Sequence, residues 1–216
     1  MRRINALITA GPTYEPIDPV RFITNRSKGT MGYAIAEEAV KRNYNVILIS
    51  GPVNLKPPPK AKFICAETAL DMKQMALKEF GKADCVIMAA AVSDFRVKKA
   101  SHSKIKKKGK YVLTLVENPD ILKSFPKDSK KVLVGFALET GHLLENAKEK
   151  LYSKNLDLLI ANKIDKKNTP FGDGRKDVVL LRKGQEPIYI KNRTKQKIAA
   201  SILDAVGDIM KHKHII

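Results

Sequence analysis

Residues 11 to 32 read Gly11-Pro-Thr-Tyr-Glu-Pro-Ile-Asp-Pro-Val-Arg-Phe-Ile-Thr-Asn-Arg-Ser-Lys-Gly-Thr-Met-Gly32. The apolar run Ile4–Ala10 before them predicts a buried first strand, and Tyr33–Arg42 after them carries apolar residues at helical spacing. A strand, a glycine-containing turn and a helix form a cradle for phosphate, because backbone N–H groups and the helix dipole point at the anion. The long loop before the helix also carries side chains that can take part in chemistry, namely Arg21, Asn25 and Ser27.

Strands alternate with helices along the rest of the chain, which is typical of a mostly parallel sheet. The predicted strands are Ile4–Ala10, Asn45–Ser50, Lys62–Cys65, Cys85–Ala91, Tyr111–Val116, Val132–Ala137 and Leu156–Ala161. The predicted helices are Gly29–Arg42, Ala69–Phe80, Asn118–Ser124, Leu143–Lys154 and Thr194–Ile209. We therefore expect a Rossmann-like α/β fold with three layers, α/β/α.

The last part of the sheet is expected to be antiparallel. Val178–Leu181 and Pro187–Ile190 flank Lys183-Gly184 and should pair as a hairpin, which gives a small antiparallel extension. No internal repeat or linker divides the chain, so residues 1–216 are expected to form a single domain. Residues 210–216 are basic and are expected to form a flexible tail.

The composition is that of an ordinary globular protein. Of the 216 residues, 44% are hydrophobic and 29% are charged. The start of the chain is too short and too interrupted for a signal peptide, and no apolar run approaches the ~20 residues that cross a bilayer. Cys65 and Cys85 lie in apolar runs without metal-ligand spacing, so we expect two buried thiols, a reducing compartment and a cytoplasmic location.

The formal net charge is +19, and Lys98–Lys110 forms the densest basic block. Such a charge indicates either a phosphate-bearing partner or a solvated lysine-rich surface. A nucleic-acid-binding module is an alternative, but only 6% of residues are aromatic and Trp is absent. Zinc-finger spacing and RNA-recognition aromatic motifs are also missing, so a nucleic-acid partner is not favoured.

A nicotinamide-dependent oxidoreductase is a second alternative. Its fingerprint needs three glycines directly after the first strand and an acidic residue after the second. Here Gly11 is followed only by Gly29 and Gly32, and the second strand ends at Ser50-Gly51-Pro52. NAD is therefore disfavoured, while Gly29 and Gly32 suit either a helix start that accepts a phosphate or a purely structural role.

A second group of polar residues follows the apolar strand at Cys85. In Ala89-Ala-Ala-Val-Ser-Asp-Phe-Arg96, Asp94 comes where ligands bind in open α/β sheets, although it could instead cap a turn or pair with Arg96. Ser103-Lys-Ile-Lys-Lys-Lys108 follows, and its lysines can clamp a triphosphate or simply be solvated.

A further group of candidate residues comprises Glu117–Leu122, Gly135–Thr140, Asn162 and Phe171-Gly172. Asn118-Pro-Asp120 is expected to start a helix by N-capping, and Gly135-Phe136 at a strand end could set an aromatic ring against a base. Each of these features could equally have a purely structural role.

Taken together, these segments resemble the phosphopantothenate–cysteine ligase family, also called phosphopantothenoylcysteine synthetase. The motifs that carry the resemblance are GPTYEPIDPVRFITNRSKGTMG, AAAVSDFR with the following KIKK, NPDIL and GFALET. The resemblance runs from about Ile4 to Ala205. It implies a ligation of 4′-phosphopantothenate to L-cysteine in coenzyme A synthesis, through an acyl-cytidylate made from CTP, with Mg²⁺ neutralising the triphosphate.

The resemblance also implies roles for individual residues. Asn25 would donate a hydrogen bond to the acyl carbonyl, Arg21 would orient that loop or meet a substrate, and Lys104 would stabilise charge during cytidylate formation. The phosphate of phosphopantothenate would be held by Ser27, Gly29 and Gly32, with Ala90 also at that substrate. The nucleotide would meet Met88, Ala89, Ala90, Asp94, Lys104, Pro119, Asp120, Ile121, Leu122, Phe136, Lys150 and Lys154. The metal ligands remain unknown.

The chain departs from the family at one point, because Ser27-Lys28-Gly29 stands where Ser-Ser-Gly is common. Lys28 is either exposed or adds charge to the phosphate site. Similarity to the bacterial type implies CTP rather than ATP, and family habit implies a homodimer with sites near the subunit interface. Because Met1 precedes the first strand so closely, we also expect a stand-alone ligase without a decarboxylase half.

Overall fold

A single eight-stranded sheet organises the chain. The computed structural model describes residues 2–128, 130–164 and 174–215. The strands are β1 (Asn5–Ala10), β2 (Tyr14–Pro16), β3 (Phe22–Thr24), β4 (Asn45–Ser50), β5 (Lys62–Cys65), β6 (Cys85–Met88), β7 (Phe95–Val97), β8 (Leu115–Glu117), β9 (Val132–Glu139), β10 (Leu158–Lys163), β11 (Lys176–Leu181) and β12 (Ile188–Arg193). The helices are α1 (Thr30–Lys41), α2 (Ala69–Phe80), α3 (Ile121–Ser124), α4 (Leu143–Ser153) and α5 (Lys195–His212).

The sheet order is β12-β11-β10-β9-β6-β1-β4-β5. The six strands from β10 to β5 are parallel to one another, while β11 pairs antiparallel with both β10 and β12. Two short hairpins, β2–β3 and β7–β8, lie outside this sheet. The predicted three-layer, mostly parallel fold with a small antiparallel extension is confirmed.

Helices cover both faces of the sheet, and the central strands are apolar on both sides for that reason. In β1, Ala6 and Ile8 pack with α1 and α5, whereas Leu7 packs with α2 and α4 on the opposite face. Leu7 and Ile8 are both fully buried. Burying a side chain of this size stabilises the fold by about 1.5–3 kcal/mol, so both faces of the sheet contribute to stability.

The long loop after β1 is anchored to the sheet by a buried carboxylate. Glu15 on β2 is 1% exposed, and its Oε1 accepts a hydrogen bond of 3.0 Å from the Ala69 N–H at the start of α2. The same helix begins with a capping box in which Thr68 and Asp71 exchange side-chain and backbone hydrogen bonds. The loop therefore has a fixed position relative to the strand ends.

The structure corrects several boundaries. The strand predicted at Tyr111–Val116 covers only Leu115–Glu117, and the one predicted at Cys85–Ala91 ends at Met88. The flexible tail predicted for residues 210–216 is not found in its described part, residues 210–215. There α5 continues to His212, and the side chain of Met210 is fully buried. Cys65, predicted to be buried, is exposed, whereas Cys85 is buried as expected.

Candidate active site

A cavity of about 490 Å³ opens at the carboxyl ends of β6, β9 and β10. Parallel strands place their carboxyl ends at one edge of the sheet, so loops distant in sequence meet there. Most of the predicted site residues line this cavity: Asn25, Ser27, Gly29, Met88, Ala89, Ala90, Asp94, Pro119, Asp120, Ile121, Leu122, Phe136, Lys150 and Lys154. Within the described part of the chain, the exceptions are Arg21, Gly32 and Lys104.

Asn25 is held at the cavity by the β2–β3 hairpin. Tyr14 and Phe22 stack across this hairpin with ring centroids 4.0 Å apart, and Thr24 Oγ1 donates a hydrogen bond of 2.8 Å to the Thr13 carbonyl. Asn25 Nδ2 donates a hydrogen bond of 2.9 Å to the Ala91 carbonyl, in the segment that follows β6. The Asn25 amide therefore joins the two loops that the sequence identified separately.

The start of α1 forms the floor of the cavity beside Asn25. Gly29 has φ +75°, and a Cβ there would lie 3.1 Å from the Gly11 backbone, so this turn favours glycine. Gly29 is the N-cap of α1, and none of the described side chains caps the helix. The first N–H groups of α1 are thus available to a ligand, as predicted for a phosphate cradle.

Gly32 lies below the cavity rather than at its surface. A Cβ at this position would come within 2.6 Å of the Ala10 Cβ. The position requires glycine because α1 packs closely on β1, which favours the structural alternative over direct contact with a phosphate. Gly32 therefore sets the position of the helix start, while the substrate-binding role that the resemblance implies for it stays a prediction.

The segment after β6 runs beside the segment after β1. Ala91 N donates to the Gly11 carbonyl at 2.9 Å, and Ser93 N donates to Thr13 Oγ1 at 3.0 Å. Asp94 then faces the cavity with an exposed side chain. Its alternative pairing with Arg96 is not observed, because Arg96 donates instead to the Glu117 carbonyl and to Asn118 Oδ1.

Asp120, Lys150 of α4 and Lys154, the C-cap residue of α4, line another side of the cavity. Asp120 caps α3 as expected, accepting from Lys123 N at 3.2 Å, and Lys154 Nζ lies 2.8 Å from its carboxylate. Burial acts to raise the pKa of Asp120, but the hydrogen bonds from Lys154 and Lys123 outweigh it and leave the pKa lowered. Burial lowers the pKa of Lys150, and the Lys154 ammonium lowers it further.

Arg21 and Lys104 lie together, but outside this cavity. They line a separate groove with Val20, Ile105, Lys106 and Lys107, which we call the lysine groove. Arg21 is ion-paired with the buried Asp18 and donates a hydrogen bond of 2.7 Å to the Ile105 carbonyl, while Ile105 N donates to Asp18 Oδ2 at 3.1 Å. The Asp18–Arg21 pair therefore positions the loop that carries Lys104.

The Asp18 carboxylate is strongly held in its charged form. The hydrogen bond from the Arg21 guanidinium places the pKa of Asp18 far below its usual range, against the opposing effect of burial. The N–H groups of Ile105, Val20 and Arg21 also donate to this carboxylate and lower its pKa further. One buried charge thus fixes the turn between β2 and β3 and the start of the lysine-rich loop.

Sequence reasoning missed several residues of the cavity: Thr30, Asn118, Lys176 and Lys195. Asn118 Nδ2 donates to the Ser93 carbonyl at 2.9 Å, and Lys195 Nζ donates to Thr30 Oγ1. Lys28 and Asn162, which the sequence raised without a firm role, also line the cavity. Phe171 and Gly172, singled out in the sequence, lie outside the described residues.

Metal ligands are sparse at this site. Among residues 2–128, 130–164 and 174–215, no group of three or more His, Cys, Asp or Glu side chains could hold a metal ion. The cavity instead offers the single carboxylates Asp94 and Asp120. The same described residues contain no helix long and apolar enough to cross a membrane.

Comparison with known proteins places the chain in a family. The model of the DNA/pantothenate metabolism flavoprotein C-terminal domain matches residues 1–210. The coenzyme A biosynthesis bifunctional protein CoaBC of Bacillus subtilis (strain 168) is 41% identical over 210 residues, which cover 96% of this chain. The CoaBC protein of Escherichia coli (strain K12) is 37% identical over 212 residues, or 95% of this chain. In both comparisons the chain spans 52% of the relative, about half its length.

Solved structures agree with this fold. The crystal structure of the C-terminal domain of a CoaBC bifunctional protein superposes with a TM-score of 0.84 at 39% identity and covers 98% of each chain. The Cab2 mutant H337A in complex with phosphopantothenate-cysteine superposes with a TM-score of 0.77 at 21% identity, covering 98% of this chain and 89% of that one. The second likeness concerns the fold alone.

Proposed function

Because the chain belongs to the DNA/pantothenate metabolism flavoprotein C-terminal domain family, we propose that it ligates 4′-phosphopantothenate to L-cysteine in coenzyme A synthesis, using CTP. The products are 4′-phosphopantothenoylcysteine, CMP and pyrophosphate. The observation that carries the proposal is a single cavity lined by Asn25, by the helix start at Gly29 and by the Asp120–Lys154 pair.

The reaction has two steps, since a carboxylate is a poor electrophile until one of its oxygens becomes a good leaving group. In the first, the phosphopantothenate carboxylate oxygen attacks the α-phosphorus of CTP, and the bond to pyrophosphate breaks. In the second, the neutral amine of cysteine attacks the acyl carbonyl, giving a tetrahedral oxyanion. The oxyanion collapses, CMP leaves with the bonding electron pair, and the amine nitrogen loses a proton to solvent.

Asn25 is the residue to which we assign the second step. A side-chain amide has two N–H donors, and one of them is bound to the Ala91 carbonyl. That bond fixes the orientation of the amide before the substrate arrives. The other N–H is then available to the acyl oxygen, where a fixed donor stabilises the developing negative charge.

The nucleotide is proposed to bind between α3 and α4. The ammonium groups of Lys150 and Lys154 would attract its phosphates. Lys150 lies in the last turn of α4 and Lys154 follows four residues later at its C-cap. Phe136, at the carboxyl end of β9, presents a partly buried ring to the same cavity. Ala89 and Ala90 line the same cavity with small side chains, which leaves room for an extended ligand.

Mg²⁺ would be held at this site by protein carboxylate and substrate phosphate oxygens together. Mg²⁺ in nucleotide-binding sites is usually held by one or two carboxylates together with phosphate oxygens. Asp94 and Asp120 line the cavity, and Asp94 has no side-chain hydrogen bond to any described residue, so Asp94 would be the protein ligand. When bound, the ion would neutralise the triphosphate charge.

We further propose a homodimer. The two small hairpins touch through β2 and β7, and together with the loop between β7 and β8 they expose several large apolar side chains: Val20, Phe22, Phe95, Tyr111, Val112 and Leu115. Apolar side chains gathered in this way are typical of an interaction surface. A partner docked here would lie beside the lysine groove, and its own Lys104 could reach the cavity.

Because Cys65 and Cys85 are free thiols, we propose the cytoplasm as the compartment.

The test follows each product separately. With Mg²⁺, pyrophosphate release should require both CTP and phosphopantothenate, and CMP should appear only after cysteine is added. A comparison of CTP, ATP, NAD and NADP by thermal shift should rank CTP first, because a ligand stabilises the state that binds it. The absence of pyrophosphate with both substrates present would refute the proposal.

A further inference from the structure

Two nearly buried lysines line the cavity without a role in the reaction proposed above. Lys176 is the first residue of β11, and Lys195 is the first residue of α5. Both are nearly buried, at 5% and 8% exposure, yet both line the cavity, and Lys195 Nζ donates to Thr30 Oγ1 at the start of α1. Lysine is among the residue types that are hardly ever buried this completely unless paired.

Lys176 has no such pairing within the part of the chain that the structure describes. None of the described side chains or backbone groups forms a hydrogen bond or ion pair with its ammonium group. Its neighbours on the same face of β11, Val178 and Leu180, pack in the core with α1 and α5. Among the described residues no buried side-chain nitrogen or oxygen lacks a hydrogen-bond partner, so the unpaired Lys176 ammonium group must be open to the cavity even though the rest of its side chain is buried. An anion that enters the cavity would supply the counter-charge that the protein does not.

The surroundings of Lys176 are positive. The start of α1 presents N–H groups that no described side chain caps, and Lys195 Nζ donates to Thr30 Oγ1 at the same helix start. The carboxylates that line the cavity in residues 2–128, 130–164 and 174–215 are Asp94, after β6, and Asp120, at α3. Both carboxylates belong to the side of the cavity formed by the β6 loop, α3 and α4.

We propose that Lys176, Lys195 and the N-terminus of α1 form an anion subsite that takes a phosphoryl group of a substrate. A helix start and two ammonium groups together suit the charge and the several acceptor oxygens of a phosphoryl group. The subsite lies on the α1/α5 face of the sheet, whereas Lys150 and Lys154 lie at the end of α4 on the other face. The cavity thus has two cationic ends, enough to hold two phosphorylated molecules.

The identity of the substrate rests on the proposed function. Two sources of the phosphoryl group are compatible with the subsite: the phosphomonoester of phosphopantothenate and the polyphosphate of CTP. Titration calorimetry separates them, with 4′-phosphopantothenate, pantothenate, CTP and inorganic pyrophosphate as four ligands. The variants are Lys176→Met and, as a control that also removes one positive charge, Lys78→Met at an exposed position on α2.

Lys176→Met should weaken binding of one phosphorylated substrate at least tenfold, while Lys78→Met changes every ligand less than twofold. If the phosphomonoester occupies the subsite, only phosphopantothenate loses affinity and pantothenate does not. If the polyphosphate occupies it, CTP and pyrophosphate lose affinity together. The Tm of ligand-free Lys176→Met should be no lower than that of the parent, because the ammonium group forms no hydrogen bond or ion pair with a described residue that the substitution could remove.

Binding of all phosphorylated ligands within twofold of the parent overturns the subsite, even when the parent is an active ligase. Should Lys176→Met fail to fold, Lys195→Met carries the same affinity prediction. If the parent protein binds no phosphorylated ligand, both the subsite and the proposed function are wrong. A parent that binds the substrates without turnover overturns the function alone, and the tenfold criterion still decides the subsite.

Discussion

Replacing Asn25 by aspartate should separate the two halves of the reaction. The Asn25→Asp carboxylate removes both N–H donors while keeping nearly the same volume. Of those two donors, one is occupied by the Ala91 carbonyl at 2.9 Å, so a single donor is available to the acyl oxygen. Loss of one oxyanion donor costs about 2.7–4 kcal/mol in the transition state, which corresponds to a fall of roughly 10²–10³-fold in rate.

The fall should appear only in the second step, where the oxyanion forms. Rapid-quench measurements with labelled CTP would follow pyrophosphate release and, after addition of cysteine, CMP release. In Asn25→Asp the acyl-cytidylate should accumulate, with CMP release slowed by roughly 10²–10³-fold. Pyrophosphate formation should stay within about tenfold of the parent, because the first step develops its charge at phosphorus and not at the acyl carbon.

A control must exclude a simple disturbance of the hairpin. Thr24→Val removes the 2.8 Å hydrogen bond to the Thr13 carbonyl, next to Asn25, but leaves the amide in place. A lost hydrogen bond of this kind costs about 0.5–1.5 kcal/mol of stability, and both half-reactions should change by similar, small factors. Release of CMP at the parent rate in Asn25→Asp, or an equal loss in both steps, would refute the role of Asn25.

Three further predictions concern assembly, packing and pH. If Lys104 acts across the dimer interface, mixing Asn25→Asp subunits with Lys104→Gln subunits should restore activity to mixed dimers. In such a dimer one of the two sites combines the unchanged Asn25 of one subunit with the unchanged Lys104 of the other. If subunit exchange restores no activity, both residues of a site belong to the same chain. Gly32→Ala should lower the free energy of unfolding by about 1–3 kcal/mol, because its Cβ would overpack the strand below, and denaturant unfolding that shows no loss would contradict this. Lys154→Met should lower the free energy of unfolding by about 0.2–1 kcal/mol at pH 7. Because the pair lowers the pKa of Asp120 in the folded protein, this difference should begin to shrink as the pH falls below the unfolded-state value of about 4, and it should vanish only once the carboxyl is protonated in the folded protein as well. A difference that persisted in still stronger acid would rule out the ion pair as its cause.

Local patterns predicted most of the sheet and its helices. The strands Asn45–Ser50 and Lys62–Cys65 and the helix Ala69–Phe80 have the predicted ends, because apolar spacing and flanking breakers report directly on which face is buried. The capping role expected in the Asn118–Asp120 segment is likewise present, at Asp120. Such features depend on neighbours within a few residues, so a single sequence contains them.

Predictions failed where distant contacts decide the outcome. Residues 210–212 look like a basic tail, but Met210 packs in the core beneath the sheet and extends α5 to His212. The first loop contains a hairpin whose strands, Tyr14–Pro16 and Phe22–Thr24, have three residues each and too few to show alternation. Lys176 and Lys195 appear in sequence as two of many lysines, since nothing local marks them as buried.

The sequence by itself determined the α/β class, the order of the elements and the segments that line the cavity, because periodicity and turn residues are local properties. Tertiary structure decided which of these segments meet. The strand order places β9 beside β6 and β10 beside β9, so Phe136, Asp94 and Asn25 share one cavity. The Asp18–Arg21 pair holds the backbone of Ile105, which keeps the neighbouring Lys104 at a separate groove. Those placements follow from packing and strand pairing between residues far apart in the chain, and short-range sequence patterns do not encode them.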